Sequence, residues 1–374
     1  MIPFNQPFLT GKETEYIVDA VNSKKLSGNG KYTKKCQSFF EDHYKFKKAL
    51  LTSSCTDALE MASLLADIQP GDEVIMPTYT FVSTANAFVL RGATIVFADS
   101  EKDHPNIDVN KLEGLITPKT KAIVPVHYAG VACDMDPMLE LAKKYDIKII
   151  EDAAQAFDSF YKGKPLGGIG DFGAFSFHET KNIISGEGGL LSVNKDDSIG
   201  RSEIIWEKGT NRAAFFRGEI DKYGWVDVGS SFLPSEVVAA FLYAQIENQE
   251  KIQTKRVSLW NQYYDQLSET EAKGFVKLPK VPSYATNNAH MFYLVCNSAE
   301  ERQKLIEYLR AKEIHAVFHY LSLHKSVFFQ DKYKGEALEN ADNFSQCLIR
   351  LPLYYDLTIQ EVSYISDSIK SFFE

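Results

Sequence analysis

Lys181 stands in the segment "SFHETKNIISGEGG", between a polar, histidine-bearing run and a glycine-rich turn. An isolated lysine of this kind reads as a solvated surface charge. Three other stretches carry side chains that would give it work to do. "LLTSSCTDALE" places small hydroxyl residues at the start of a helical pattern. Free N–H groups and the positive end of the helix dipole favour phosphate there, although a plain Ser or Thr helix cap has the same appearance. "PTYTFVSTANAF" offers Phe81, either a stacking surface for a planar ring or a core aromatic. "IKIIEDAAQ" ends an apolar run in Glu151 and Asp152, with Gln155 close behind. An acid at the end of a buried strand needs a partner: a proton on a heteroaromatic nitrogen, a helix end or a salt bridge. Taken together, a phosphate turn, a stacking ring, an acid for a ring nitrogen and an amine match what pyridoxal phosphate requires of a protein.

The elements that must position these residues alternate in type. From residue 34 to about 195, short apolar runs ("KKALLTS", "DEVIMP", "TIVFAD", "KAIVPVHY", "IKIIEDA") are separated by amphipathic helical patterns. Such strands belong to a parallel sheet covered on both faces, and ligands bind beyond its carboxyl ends. "FGAFSF" and "GGLLSV" read as two strands flanking Lys181, and the glycines at 186, 188 and 189 permit positive φ or a close backbone approach to a bound cofactor. A helical stretch over residues 234–268 is long enough to bridge two domains. The expected class is α/β: a large domain, residues 1–245, with a mainly parallel central sheet, followed by a smaller C-terminal α+β domain, residues 246–374.

The 374 residues, 44% of them hydrophobic, can bury such a core. A formal net charge of −9 at pH 7 argues against nonspecific binding to nucleic acid or an anionic membrane. No apolar run reaches membrane-spanning length, and the N-terminal residues lack a secretion pattern. Five scattered cysteines fit a reducing cytoplasm and show no metal-ligand spacing. "SGNGKYT" and "GGIGDFG" are glycine-rich but lack the strand–GxGxxG–helix fingerprint of a dinucleotide oxidoreductase.

Over nearly its whole length the chain resembles the DegT-type sugar-nucleotide aminotransferases, which have the fold type I architecture of pyridoxal-phosphate enzymes. The resemblance runs from "IPFNQPFLTGKE" through "GDEVIMPTYTFVSTANAF", "EDAAQAF" and "FSFHETKNIISGEGG" to "LIRLPLYYDLT". It implies that Lys181 carries the cofactor as a Schiff base and that Asp152 partners the pyridinium nitrogen. It further implies that Gln155 approaches the ring hydroxyl, that Phe81 stacks on the ring, and that Cys55, Thr56 and Ser176 hold the phosphate. Two positions depart from the family pattern. Cys55-Thr56 replaces a common Gly-Thr, and Ser231 replaces an asparagine that reaches the neighbouring subunit's phosphate. The implied partners are L-glutamate, a dTDP-linked keto sugar and a second copy of the chain, in a homodimer with shared active sites. The implied reaction aminates a dTDP-4-keto-6-deoxyhexose at C4 with galacto configuration. The alternatives are another nucleotide-linked keto sugar or a non-catalytic sensor. A sugar dehydratase on this scaffold would carry histidine where Lys181 stands. Candidate substrate contacts are His178, His319, Tyr320 and, in a basic segment running from Lys208 to Lys222, Arg212 and Arg217; His324 is a further candidate for the sugar site.

Overall fold

The computed structural model describes residues 1–374. Helices α1 (Glu13–Asn22) and α2 (Lys31–His43) lead into β1 (Lys48–Thr52), α3 (Cys55–Leu65), β2 (Glu73–Pro77), α4 (Val82–Val89) and β3 (Thr94–Ala98). Then come β4 (Thr120–Ile123), α5 (Met135–Tyr145), β5 (Lys148–Asp152), a small hairpin of β6 (Phe160–Tyr161) and β7 (Lys164–Pro165), β8 (Phe172–Ser176) and β9 (Gly189–Val193). Seven of these strands form one sheet in the order β1-β9-β8-β5-β4-β2-β3. Six run in one direction, and β9 alone is antiparallel to its neighbours β1 and β8. The expected α/β class with a mainly parallel central sheet is therefore correct. β8 and β9 are buried at every residue, which matches their lack of polar alternation.

After β9 follow α6 (Asp196–Trp206), the short α7 (Arg212–Phe216), α8 (Glu236–Ile246) and α9 (Gln249–Ala272). The stretch expected to be one helix over 234–268 is thus two. Asn248 leaves helical geometry at φ −113°, ψ 12°, and its Nδ2 donates to the carbonyl of Ala244 at 3.0 Å. A short amide side chain competing for backbone acceptors ends a helix in this way. The buried carboxylate of Glu236, at the start of α8, accepts hydrogen bonds from the N–H groups of Gly30, Tyr32 and Thr33, so it caps α2 across 200 residues of chain.

A second sheet, order β10-β11-β13-β12, is antiparallel throughout: β10 (Val276–Lys277), β11 (Phe292–Cys296), β12 (Val317–Phe318) and β13 (Leu348–Leu351). It is covered by α10 (Ala299–Ala311), α11 (Glu339–Cys347) and α12 (Ile359–Phe373). One face of this sheet packs on Leu259, Leu305 and Ile365 in a core of its own. Its other face shares a core with the large sheet, where Tyr293, Val295 and Leu348 join Leu50, Met76 and Ile150. In the run "IHAVFHY" only residues 317–318 are strand; beyond them the chain turns toward the carboxyl ends of the large sheet.

Candidate active site

A cavity of about 520 Å³ opens beyond the carboxyl ends of the parallel strands. Ten expected residues line it: Cys55, Thr56, Phe81, Asp152, Gln155, Ser176, His178, Lys181, His319 and Tyr320. The N-terminus of α3 points into it. Ser54 caps this helix, its Oγ accepting from the N–H of Asp57 at 3.1 Å, while Cys55 and Thr56 occupy the first turn, whose N–H groups have no partner within the helix. The Thr56 hydroxyl donates to Ser83 Oγ at 2.9 Å and ties this turn to the start of α4. Phe81, the residue before α4, is 55% exposed, so it is a ring offered to the cavity and not part of the core. Tyr79, two residues earlier, is the core aromatic.

Asp152 is the last residue of β5 and is buried. Thr84 Oγ1 donates to its Oδ2 at 2.7 Å and the Ala154 N–H to its Oδ1 at 3.1 Å. Burial raises its pKa, and these two hydrogen bonds together with Lys181 and His127 oppose the rise. Glu151, one residue earlier, points to the opposite face of the strand and has a different task. It accepts from the N–H groups of Gly167, Ile169 and Gly170 and from the ring of His127, with no exposure at all.

Lys181 sits on the loop that joins β8 to β9. Burial lowers its pKa; Cys55 and Asp152 pull the other way, and Arg350 adds to the lowering. An amine held in this manner has a larger neutral fraction at neutral pH than a surface lysine. The loop is pinned at its root, where Ser176 pairs with Gly189. A Cβ at Gly189 would lie 2.4 Å from the carbonyl of Ser54, so this glycine makes a close approach to the turn before α3. Gly186 supplies the positive φ, at +80°.

Gln155 accepts from the Ala129 N–H at 2.6 Å and donates to the Tyr320 hydroxyl at 3.2 Å. His178 both lines the cavity and orders its own loop through Thr180, 3.0 Å from its Nδ1. The ring of His319 bonds Tyr128 at 2.9 Å, and burial pushes its pKa well down, which keeps the imidazole neutral.

Four expected residues lie elsewhere. Ser231 is exposed, bridging Glu207 through the backbone. Arg217 is held by Glu203 at 2.8 Å and Glu219 at 2.7 Å, and Arg212 lies 3.8 Å from Glu207 and over the ring of Phe216. The basic segment is therefore partly neutralised by its own acids and does not reach this chain's cavity. His324 faces Thr78 at 2.8 Å in the interior and does not line the site. Conversely, Thr84, His290 and Arg350 line the cavity without having been singled out. Arg350 carried a readable signal, a single cation inside the apolar run "LIRLPL".

The donor set fits a phosphorylated pyridine aldehyde: a neutralisable amine, a buried acid whose charge calls for a cationic partner, an exposed ring and a helix N-terminus. The comparisons agree. The model of the DegT/DnrJ/EryC1/StrS aminotransferase family matches residues 7–370. GDP-perosamine synthase of Escherichia coli O157:H7 is 33% identical over 380 residues, covering 100% of this chain and 98% of that protein. The spore coat polysaccharide biosynthesis protein SpsC of Bacillus subtilis is 30% identical, covering 99% and 96%. Among solved structures, the putative sugar aminotransferase Spr1654 from Streptococcus pneumoniae in its PMP-form superposes with a TM-score of 0.92 at 27% identity, covering 100% of this chain and 99% of that one. The chain belongs to the DegT/DnrJ/EryC1/StrS aminotransferase family.

Proposed function

We propose that the protein is a pyridoxal-phosphate-dependent aminotransferase that moves the amino group of L-glutamate to C4 of a dTDP-linked 4-keto-6-deoxyhexose, giving the galacto-configured 4-amino sugar and 2-oxoglutarate. The observation that carries the enzyme class is the placement of Lys181 and Asp152 in one cavity, beside the N-terminus of α3 and the exposed ring of Phe81. Cys55, Thr56 and Ser176 would hold the cofactor's phosphate, and Gln155 would lie near its ring hydroxyl. When bound, the cofactor supplies the electron sink that lets an amino group pass between two carbonyl carbons. The chain supplies the rest. The Nζ of Lys181, with its lowered proton affinity, takes a proton from one carbon of the reacting unit and returns it to another. Asp152, braced by Thr84, stays ionised against the ring nitrogen and holds a proton there. Phe81 fixes the ring plane, and His319 and Tyr320 bound the side where the sugar would enter.

A second reading changes the nucleotide. Two relatives over 30% identical are GDP-perosamine synthases, which favours a GDP-linked sugar as the alternative substrate. We assign the working unit as a homodimer: Trp225 is 84% exposed and Phe216 68%, on the same segment that carries Ser231, Arg212 and Arg217. A partner's cavity would give these residues the contacts they lack within one chain. Five unpaired cysteines, and no helix long and apolar enough to cross a membrane, support work in the cytoplasm. The test is to add L-glutamate to the protein purified with pyridoxal phosphate and follow the bleaching of the yellow absorbance expected of it. dTDP- or GDP-linked 4-keto-6-deoxyhexose is then supplied and the C4 configuration of the product read by NMR. A colourless protein that ignores added pyridoxal phosphate would refute the class; bleaching followed by amination of only the GDP sugar would replace the first substrate with the second.

A further inference from the structure

A second cavity, of about 940 Å³, shares no lining residue with the first and lies at the free edge of the large sheet. Its floor is β3, the last strand in the sheet order. Hydrogen bonding to the β2 side shows which β3 groups are free. The Thr94 N–H donates to the carbonyl of Asp72, and the carbonyl of Ala98 accepts from the Thr78 N–H. In a parallel ladder alternate residues face the partner strand. Thr94, Val96 and Ala98 therefore turn to β2, and Ile95 and Phe97 present their N–H and C=O groups outward. No strand or turn of the chain pairs with those groups.

The open edge is short. Before it, the Ala93 N–H is taken by the carbonyl of Phe88 at 3.1 Å. After it, the carbonyl of Asp99 accepts from the Asp108 N–H at 2.9 Å, and Ser100 pairs with Ile107. From Ile95 to Phe97 is about 7 Å of strand. An added strand of ordinary length, about 5–6 residues, does not fit along it. The pairing edge of one nucleobase does. The C=O of Ile95 and the N–H of Phe97 stand side by side, an acceptor next to a donor, and every base carries the complementary pair on its Watson–Crick edge.

The walls suit a planar ring. Phe329 and Tyr333, on the loop between β12 and α11, stand 5.0 and 6.1 Å from the Phe97 ring on one face of the sheet. Leu115 closes the groove from the other face. The charges suit an anion. Asp99 is already used, by Lys111 at 3.2 Å and the Ala341 N–H at 2.9 Å. Lys332 lies 3.5 Å over the ring of Phe328, and neither it nor Lys334 has a carboxylate partner, unlike Lys325 on the same loop. Two free cations thus face one free acid, Glu336, in a chain whose net charge is −9. We propose that this groove takes a nucleoside phosphate, with the base on the Ile95–Phe97 edge between Leu115 and Tyr333 and the phosphate on Lys332 and Lys334.

This site is separate from that of the reacting sugar. Just past β2, the strand next to β3, the Leu323 N–H donates to the Thr78 carbonyl and the His324 ring bonds the Thr78 hydroxyl, which closes the way between the cavities. The loop anchored there carries His319 and Tyr320 at one end and Phe329 and Tyr333 at the other, so a nucleotide in the groove grips the loop that lines the first cavity.

Amide hydrogen exchange, read by mass spectrometry on the holoenzyme, locates the ligand. ADP, GDP and dTDP are titrated separately. At least one is expected to slow exchange at the Ile95 and Phe97 amides. The Lys332→Glu/Lys334→Glu double variant should shift that titration about 10-fold to higher concentration, the scale for reversing two exposed charges, and leave the glutamate half-reaction unchanged. Protection confined to residues 54–56 and 178–189 would put the nucleotide in the first cavity alone and overturn the proposal. Inorganic pyrophosphate protecting β3 as well as any nucleotide would reduce the groove to an anion patch. Protection by an extended valine–glutamate peptide, and by no nucleotide, would make the edge a strand-docking site instead. Unchanged exchange in β3 with every probe would end the assignment.

Discussion

On the large-sheet bank of the cavity, Asp152, Ser176 and the turn before α3 each stand at or just beyond a strand end, within a few residues of the apolar run that places them. On the facing bank, His319 and Tyr320 follow a two-residue strand, and Arg350 sits in the middle of another. The first bank is positioned by local chain geometry and its polar groups are mostly paired inside the protein, as with Asp152 and Thr84. The second is positioned by packing between two sheets and holds a cation that the protein does not pair. The contrast suggests a division of labour: the local bank serves chemistry common to both substrates, and the assembled bank tells one substrate from another.

Substitutions can break that division. The largest effect belongs to Lys181→Ala, which should reduce both half-reactions to background while the melting temperature holds; turnover near the native rate would remove Lys181 from the chemistry. Asp152→Asn comes next, with an expected loss of about 10²- to 10³-fold in kcat for both substrates, the scale for removing one preorganised charge partner. If only one substrate suffers, the banks do not divide as described. Gly189→Ala should then destabilise the fold by about 1–3 kcal/mol in chemical denaturation, because its Cβ would press on the Ser54 carbonyl. The same variant should loosen phosphate-dependent cofactor binding; an unchanged midpoint would mean that the two turns move apart freely.

Thr84→Val probes the bracing of Asp152 through pH. The Thr84 hydrogen bond favours the ionised carboxylate, so its loss raises the Asp152 pKa further. Activity that needs the carboxylate ionised then falls away at a higher pH on the acid side, by about one unit. The linkage has a definite sign. A carboxyl with a raised folded-state pKa binds more protons folded than unfolded, so its contribution to stability declines as pH rises through the window above the ordinary carboxyl value. Thr84→Val should widen that decline in the cofactor-free protein. The smallest effect is expected for Tyr320→Phe, about 0.5–1.5 kcal/mol for one hydrogen bond to Gln155, visible in the sugar KM more than in kcat.

The same contrast explains what could be read from sequence. Helix α12 was legible to the residue, because residues 359–373 carry an unbroken amphipathic pattern behind a Thr358–Glu361 capping box. Asp152 and Lys181 were legible because a polar residue abutting an apolar strand has few bland explanations once several coincide. The break at Asn248 was not, since the apolar period continues on both sides and only the local competition of one amide interrupts it. Arg350 was quoted but not assigned: its four-residue strand is too short to show alternation, and its significance depends on partners from β11, from Phe4 and from the large sheet. Ser231, Arg212 and Arg217 lie outside the chain's cavity, because neither a family pattern nor a run of basic residues reports where a segment folds.

The hairpin that carries Lys181 has a mechanical consequence. β8 leads into the loop and β9, the one strand running backwards in the large sheet, leads out, so both ends of the loop are clamped at the same edge in fixed register. Gly189 then wedges that clamp against the turn before α3. The backbone beneath Lys181 is a fixed post. Any reach that the amine needs in order to leave one atom and serve another must come from its own four methylenes, swinging like a crane arm whose base never travels.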